Sequence, residues 1–117
     1  MERVTSPTLD VLEALLDAFD RGMELHGWGI MTVIKRSGPT VYGVLDRLED
    51  AGWVSGRWED QPTRQGKPRR RYYSLSPTGA VAVRELLEAR RPQARRRSAD
   101  GLAFPAGLQP LYLDGSQ

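Results

Sequence analysis

Between Asp60 and Tyr72 the chain carries five cations, Arg64, Lys67, Arg69, Arg70 and Arg71, with no acid among them. Like charges this dense repel one another in free solution, so a polyanion is the partner that suits them. Each phosphate they neutralised would add about 0.9 to the salt slope of binding. A second set lies about twenty residues upstream and consists of Ser37, Pro39, Thr40, Tyr42, Gly43 and Arg47. Thr40 and Tyr42 offer hydroxyls to phosphates or base edges, Gly43 leaves room for close approach, and Arg47 can bind phosphate or guanine. The plainer alternatives are a solvated hairpin tip for the first set and the outer face of an ordinary core helix for the second.

Other chemistry is poorly supplied. The chain has no cysteine, which removes thiolate nucleophiles, disulfides and zinc–thiolate sites. His26 is the single histidine and has no ligand cluster or serine–acid arrangement around it, so it reads as a structural residue at a helix start. Trp28, Trp53, Trp58, Tyr72 and Tyr73 could line a ligand cavity, but such residues more often cover a small core. No Gly-rich phosphate loop or paired-carboxylate site stands out. The expectation is a protein without enzymatic activity, metal or cofactor.

The elements that must position the two sets follow from periodicity and punctuation. Ser6-Pro7 reads as N-cap and first helical position, and Leu9, Leu12, Leu15, Leu16 and Phe19 give residues 7–20 a helical apolar face. Residues 27–36 predict a second, weaker helix with glycines at its front. Ser37-Gly38-Pro39 breaks the chain. A third helix runs from about Pro39 to Ala51, with Val41, Val44, Leu45 and Leu48 on one face and Gly52 as its cap. Residues 53–59 and 70–75 predict two strands, joined by the basic loop 60–69. Ser76-Pro77 opens a fourth helix, residues 77–91. From Pro92 the pattern fails, and an Arg-rich then Pro/Gly-rich tail, 92–117, is expected to be flexible or partly docked.

The predicted fold is mostly α with a small β-hairpin, in the order of a winged helix-turn-helix: three helices, a two-stranded wing and a C-terminal helix. Residues 1–76 form the DNA-binding domain in this reading, 77–91 a C-terminal helix and 92–117 the tail. On the third helix Asp46, Glu49 and Asp50 would repel phosphates, which confines contact to its first turns.

Charge distribution agrees. Residues 1–50 hold five basic and nine acidic residues, whereas residues 51–99 hold twelve basic and four acidic ones. Fifteen of the seventeen cations are arginine, a residue suited to bidentate phosphate and base-edge contacts. No apolar run approaches the length of a membrane span, and Met1 to Asp10 lack a signal-peptide pattern, so a cytoplasmic, nucleoid-associated protein is expected.

From Leu9 to Glu88 the chain resembles the PadR-like transcriptional regulators. The resemblance rests on His26-Gly27-Trp28, on Gly38-Pro39-Thr40-Val41-Tyr42, on LDRLEDAG from Leu45 to Gly52, and on KPRRRYYSLSPTG from Lys67 to Gly79. It implies a homodimer that presents two recognition helices to a pseudo-palindromic operator in double-stranded DNA, commonly as a repressor. Pairing through the first and last helices would use Leu12, Leu15, Leu16 and Phe19 with Val83, Leu86 and Leu87. Some members respond to a small aromatic effector at the dimer interface. Here residues 77–91 contain no aromatic, and the C-terminal helical region is shorter than in many relatives. The alternatives to a sequence-specific regulator are a winged-helix protein-interaction module and a non-specific nucleic-acid binder. A small enzyme ranks well behind.

Overall fold

The first helix, α1 (Ser6–Asp20), is buried along most of its surface: Val11, Leu12, Leu15 and Leu16 are fully buried and Leu9, Ala14 and Ala18 nearly so, while Asp10, Glu13 and Asp20 lie on its more exposed side. Such a helix must be wrapped, and in the computed structural model it is packed by the second, third and fourth helices and by the middle strand. The structure describes residues 4–60, 66 and 68–92. Arg64, Lys67 and the tail from residue 93 lie outside the described residues.

The elements that follow α1 are β1 (Leu25–His26), α2 (Gly27–Ile34), α3 (Gly38–Asp50), β2 (Val54–Trp58), β3 (Arg71–Leu75) and α4 (Pro77–Arg90). The helix order and the wing match the sequence expectation, and the sheet exceeds it. It has three antiparallel strands in the order β1-β3-β2, so β3 is central. Leu25 pairs with Tyr73 and His26 with Tyr72, while Val54 to Trp58 pair with Leu75 to Arg71. A two-residue strand has no alternation to read, which is why β1 escapes sequence analysis.

Two helix boundaries are also revised. The N-cap of α1 is Thr5, whose hydroxyl accepts from the Thr8 N–H at 3.4 Å, rather than Ser6. Helix α2 stops at Ile34 because Lys35 takes a left-handed conformation (φ 60°) and closes the helix by donating its N–H to the Met31 carbonyl at 2.7 Å. Ser76 caps α4 as expected, accepting from the Gly79 N–H at 2.9 Å. No helix among the described residues is long and apolar enough to cross a membrane.

Five of the seven residues expected at a dimer interface serve the single chain instead. Leu12, Leu15, Leu16, Val83 and Leu87 are 0–1 % exposed within it. Periodicity marks a residue as buried without saying against what, and α4 folds back on α1 to cover them. Phe19 and Leu86 keep partial exposure while packing on the core.

His26 anchors the start of α2. Its imidazole Nδ1 accepts from the Gly29 N–H at 3.1 Å, and the ring meets the Tyr72 ring edge-on, 5.5 Å between centroids. Replacing His26 by Ala is expected to cost about 1–2 kcal/mol in denaturant unfolding, through loss of the cap and a buried ring. His26→Asn keeps an acceptor at the cap and should recover part of that loss; equal stabilities for the two variants would show that the cap contributes nothing.

Candidate nucleic-acid interface

Helix α3 buries Val41, Val44, Leu45 and Leu48, as its spacing predicts. That packing fixes what remains outside. Ser37, Pro39, Tyr42 and Arg47 are exposed, and Thr40 and Gly43 are half-buried. Ser37 is the N-cap, but no side chain bonds to the first-turn N–H groups; the Ser37 hydroxyl donates instead to the Thr40 hydroxyl at 3.1 Å. The helix therefore presents an uncapped positive end, the arrangement that favours anions.

Tyr42 leans back over the start of α2. A Cβ added to Gly27 would fall 2.1 Å from the Tyr42 hydroxyl oxygen, so only glycine at 27 lets the phenol lie where it does. Gly43 differs. A Cβ there would meet only the Arg47 guanidinium, at 3.9 Å, an ordinary contact. The fold has no need of glycine at 43, so the space is open to something outside the chain. Gly43→Ala is accordingly expected to stabilise the protein by about 0.5–1 kcal/mol, the usual gain in a helix interior. The same change should weaken DNA binding; thermal unfolding and a binding titration on one preparation would read both signs.

The wing is tied at its base. The Glu59 carboxylate accepts from the Arg70 N–H at 2.9 Å, and the Glu59 N–H donates to the Arg70 carbonyl at 2.9 Å, which carries the β2–β3 ladder one step further. Arg69 is exposed and Arg70 half-exposed, and among the described residues no carboxylate pairs with either guanidinium. Arg71 is different from the cation expected on the wing surface. Its guanidinium pairs with Glu49 at 2.9 Å and sits over the rings of Trp58 and Tyr73, 5.3 and 5.7 Å from their centroids. Gly56 makes the seat, since a Cβ there would come within 2.6 Å of the Arg71 guanidinium. Arg71 thus fastens the last turn of α3 to the wing. The pair also offsets the Glu49 charge, so the acids left facing outward on the back half of α3 are Asp46 and Asp50.

Between the start of α2, Tyr42 of α3 and the wing lies a cleft of about 530 Å³, lined chiefly by Trp28, Tyr42, Trp58, Arg69, Arg70 and Tyr73, with no carboxylate among the described residues of its lining. Burial pushes the Tyr73 phenol above its ordinary pKa and neighbouring Arg71 draws it back only in part, so the hydroxyl stays protonated. Trp28 and Trp58 are 59 % and 57 % exposed. Sequence reasoning leaves them between the lining of a cavity and, more often, cover for a small core; they line the cleft. The signal available was position: Trp58 ends the strand that leads into the basic loop, and Trp28 follows the glycine against which Tyr42 rests.

The family model described as the transcriptional regulator PadR-like family matches residues 15–85. The chain belongs to the PadR-like family. Among solved structures, this PadR-like chain is similar to S. aureus MepR in a DNA-binding conformation, with a TM-score of 0.62 at 22 % identity over 86 % of this chain and 67 % of that one. It is similar to Bacillus subtilis PadR in complex with operator DNA, with a TM-score of 0.58 at 22 % identity, covering 73 % of this chain and 48 % of that one. It also resembles smu.1704 from Streptococcus mutans UA159, with a TM-score of 0.56 at 28 % identity over 86 % and 92 % of the two chains. The PadR-like chain thus spans about half of the B. subtilis PadR chain and two thirds of MepR. No curated protein matches it.

Proposed function

We propose that this PadR-like protein is a sequence-specific DNA-binding transcriptional regulator, a cytoplasmic dimeric repressor that puts the front of α3 into the major groove and its wing on the backbone or minor groove. One observation carries the reading. Tyr42 of α3 and the wing residues Arg69 and Arg70 line one cleft, and among the described residues no carboxylate lines it or pairs with either arginine. Ser37, Pro39, Thr40, Tyr42, Gly43 and Arg47 choose the site in this account, because base edges are reached from a helix in the groove. Arg69 and Arg70, with Arg64 and Lys67 on the same loop, hold the phosphates. Arg71 acts on DNA only through the position it gives the wing.

A homodimer belongs to the proposal. The outer side of α4 carries Val81, 60 % exposed, beside Arg84, Glu85 and Ala89, and is the surface on which a second copy would pack. Two recognition helices related by a two-fold axis would then read a pseudo-palindromic operator. Selection of bound fragments from sheared genomic DNA by the purified protein tests the proposal. Recovered fragments should share an inverted repeat; fragments without a common sequence would refute site choice.

A further inference from the structure

Neither tryptophan at the mouth of the cleft serves the core. Trp28 and Trp58 expose more than half their surface, on a chain with three tryptophans in all. Each has one ring face occupied. The His26 ring is stacked beside Trp28 at 6.1 Å with an interplanar angle of 23°, and Arg71 lies over Trp58. These contacts cover part of each indole and leave more than half of it exposed. Two exposed indoles on the wall of one cleft point to a contact site. The company it keeps identifies the partner's chemistry. Arg69 and Arg70 stand on the same cleft without carboxylate partners among the described residues, so the occupant must be anionic and must also offer apolar faces at short intervals.

A DNA strand has that alternation: a phosphate, then the C–H face of a deoxyribose. We propose that Trp28 and Trp58 are DNA-contacting residues that pack on deoxyribose faces of one strand lying in this cleft, while Arg69 and Arg70 hold its phosphates. The inference rests on the DNA-binding reading and adds to it an uncharged share of the affinity. Arginine contacts release counterions and so set the salt slope, whereas an indole on a sugar releases none. The two kinds of contact therefore separate in one experiment.

The test is a titration of a fluorescein-labelled duplex with the full chain at several salt concentrations. Trp28→Ala and Trp58→Ala should each lose about five- to tenfold in affinity at every salt, as expected for removing part of a buried indole, with the slope unchanged. Trp28→Phe and Trp58→Phe keep a ring and should retain most of the affinity. Thermal midpoints should change little at such exposed positions, with the largest shift for Trp58→Ala, which removes the ring beneath Arg71. Alanine variants that bind like the parent protein would overturn the assignment and leave the DNA reading intact. So would a changed slope, because the effect would then run through displaced arginines. A parent protein that binds no duplex at all would overturn both. Quenching of the parent's tryptophan emission by a small aromatic acid, with DNA binding indifferent to both alanine changes, would give the cleft to a different occupant and also reject the proposal.

Discussion

Replacing Arg69 and Arg70 together by alanine is expected to lower affinity for duplex DNA about 10- to 100-fold near 0.1 M salt, and to flatten the log–log salt slope by about 1.8. Both numbers follow from the wing geometry. The two guanidinium groups border the cleft, and no carboxylate of the described residues pairs with them, so their charge is available to phosphates. The loss should be nearly equal for all sequences, since phosphate contacts carry no base information. Arg69→Lys with Arg70→Lys should keep the slope and lose part of the affinity, because an ammonium offers a point charge where guanidinium offers a fork. Fluorescence anisotropy over a salt series measures all of this. Arg71→Ala makes the informative contrast. It should weaken binding with little change of slope, since the Arg71 charge is already matched by Glu49 at 2.9 Å.

Gly79→Ala should destabilise the protein by about 1–3 kcal/mol, the usual range for forcing extra volume into a packed site. For a domain of this size that is a fall in thermal midpoint of about 4–8 °C per kcal/mol. The added Cβ would sit 2.4 Å from the Trp53 carbonyl oxygen and 2.8 Å from both the Trp53 Cα and the Ser76 hydroxyl. The Trp53 atoms belong to backbone at the start of the β2 strand and cannot swing away. Relief requires α4 to move, and α4 is held by Val83 and Leu87 in the core and by the Ser76 cap. Gly43→Ala on α3 is the same chemical change with the opposite expected sign. If Gly79→Ala proved neutral in calorimetry, the close seat of α4 against the Trp53 backbone would be wrong.

Much of this architecture was legible because local and tertiary demands coincide. Val41, Val44, Leu45 and Leu48 repeat at helical spacing on a helix with one buried side, so its outer residues could be named from the sequence. Ser76 before Pro77 needs no tertiary knowledge to be read as a cap. The failures occur where the deciding partner is distant in sequence. The arginine run from 69 to 71 is uniform as text, yet the strand register turns Arg71 onto Trp58, Tyr73 and Glu49 and leaves Arg69 outside. Helix α1 has a broad apolar face, and no periodicity divides such a face between its own core and a second subunit. For Trp28 and Trp58 the sequence leaves both a cavity lining and core cover open, and only the cleft between α2 and the wing decides for the first. The Gly27–Tyr42 contact joins residues fifteen positions apart, which no pattern within either segment announces.

The central claim is that the front of α3 discriminates among DNA sequences. Its most direct test is competition at physiological salt between a duplex recovered by genomic selection and an unrelated duplex of equal length. The account predicts that the selected duplex binds about 10³-fold or more tightly, the lower bound for specific regulators. It further predicts that Thr40→Ala with Tyr42→Phe erodes that ratio while leaving the unrelated duplex unaffected. Equal affinity for the two duplexes would contradict the claim and make the protein a non-specific binder.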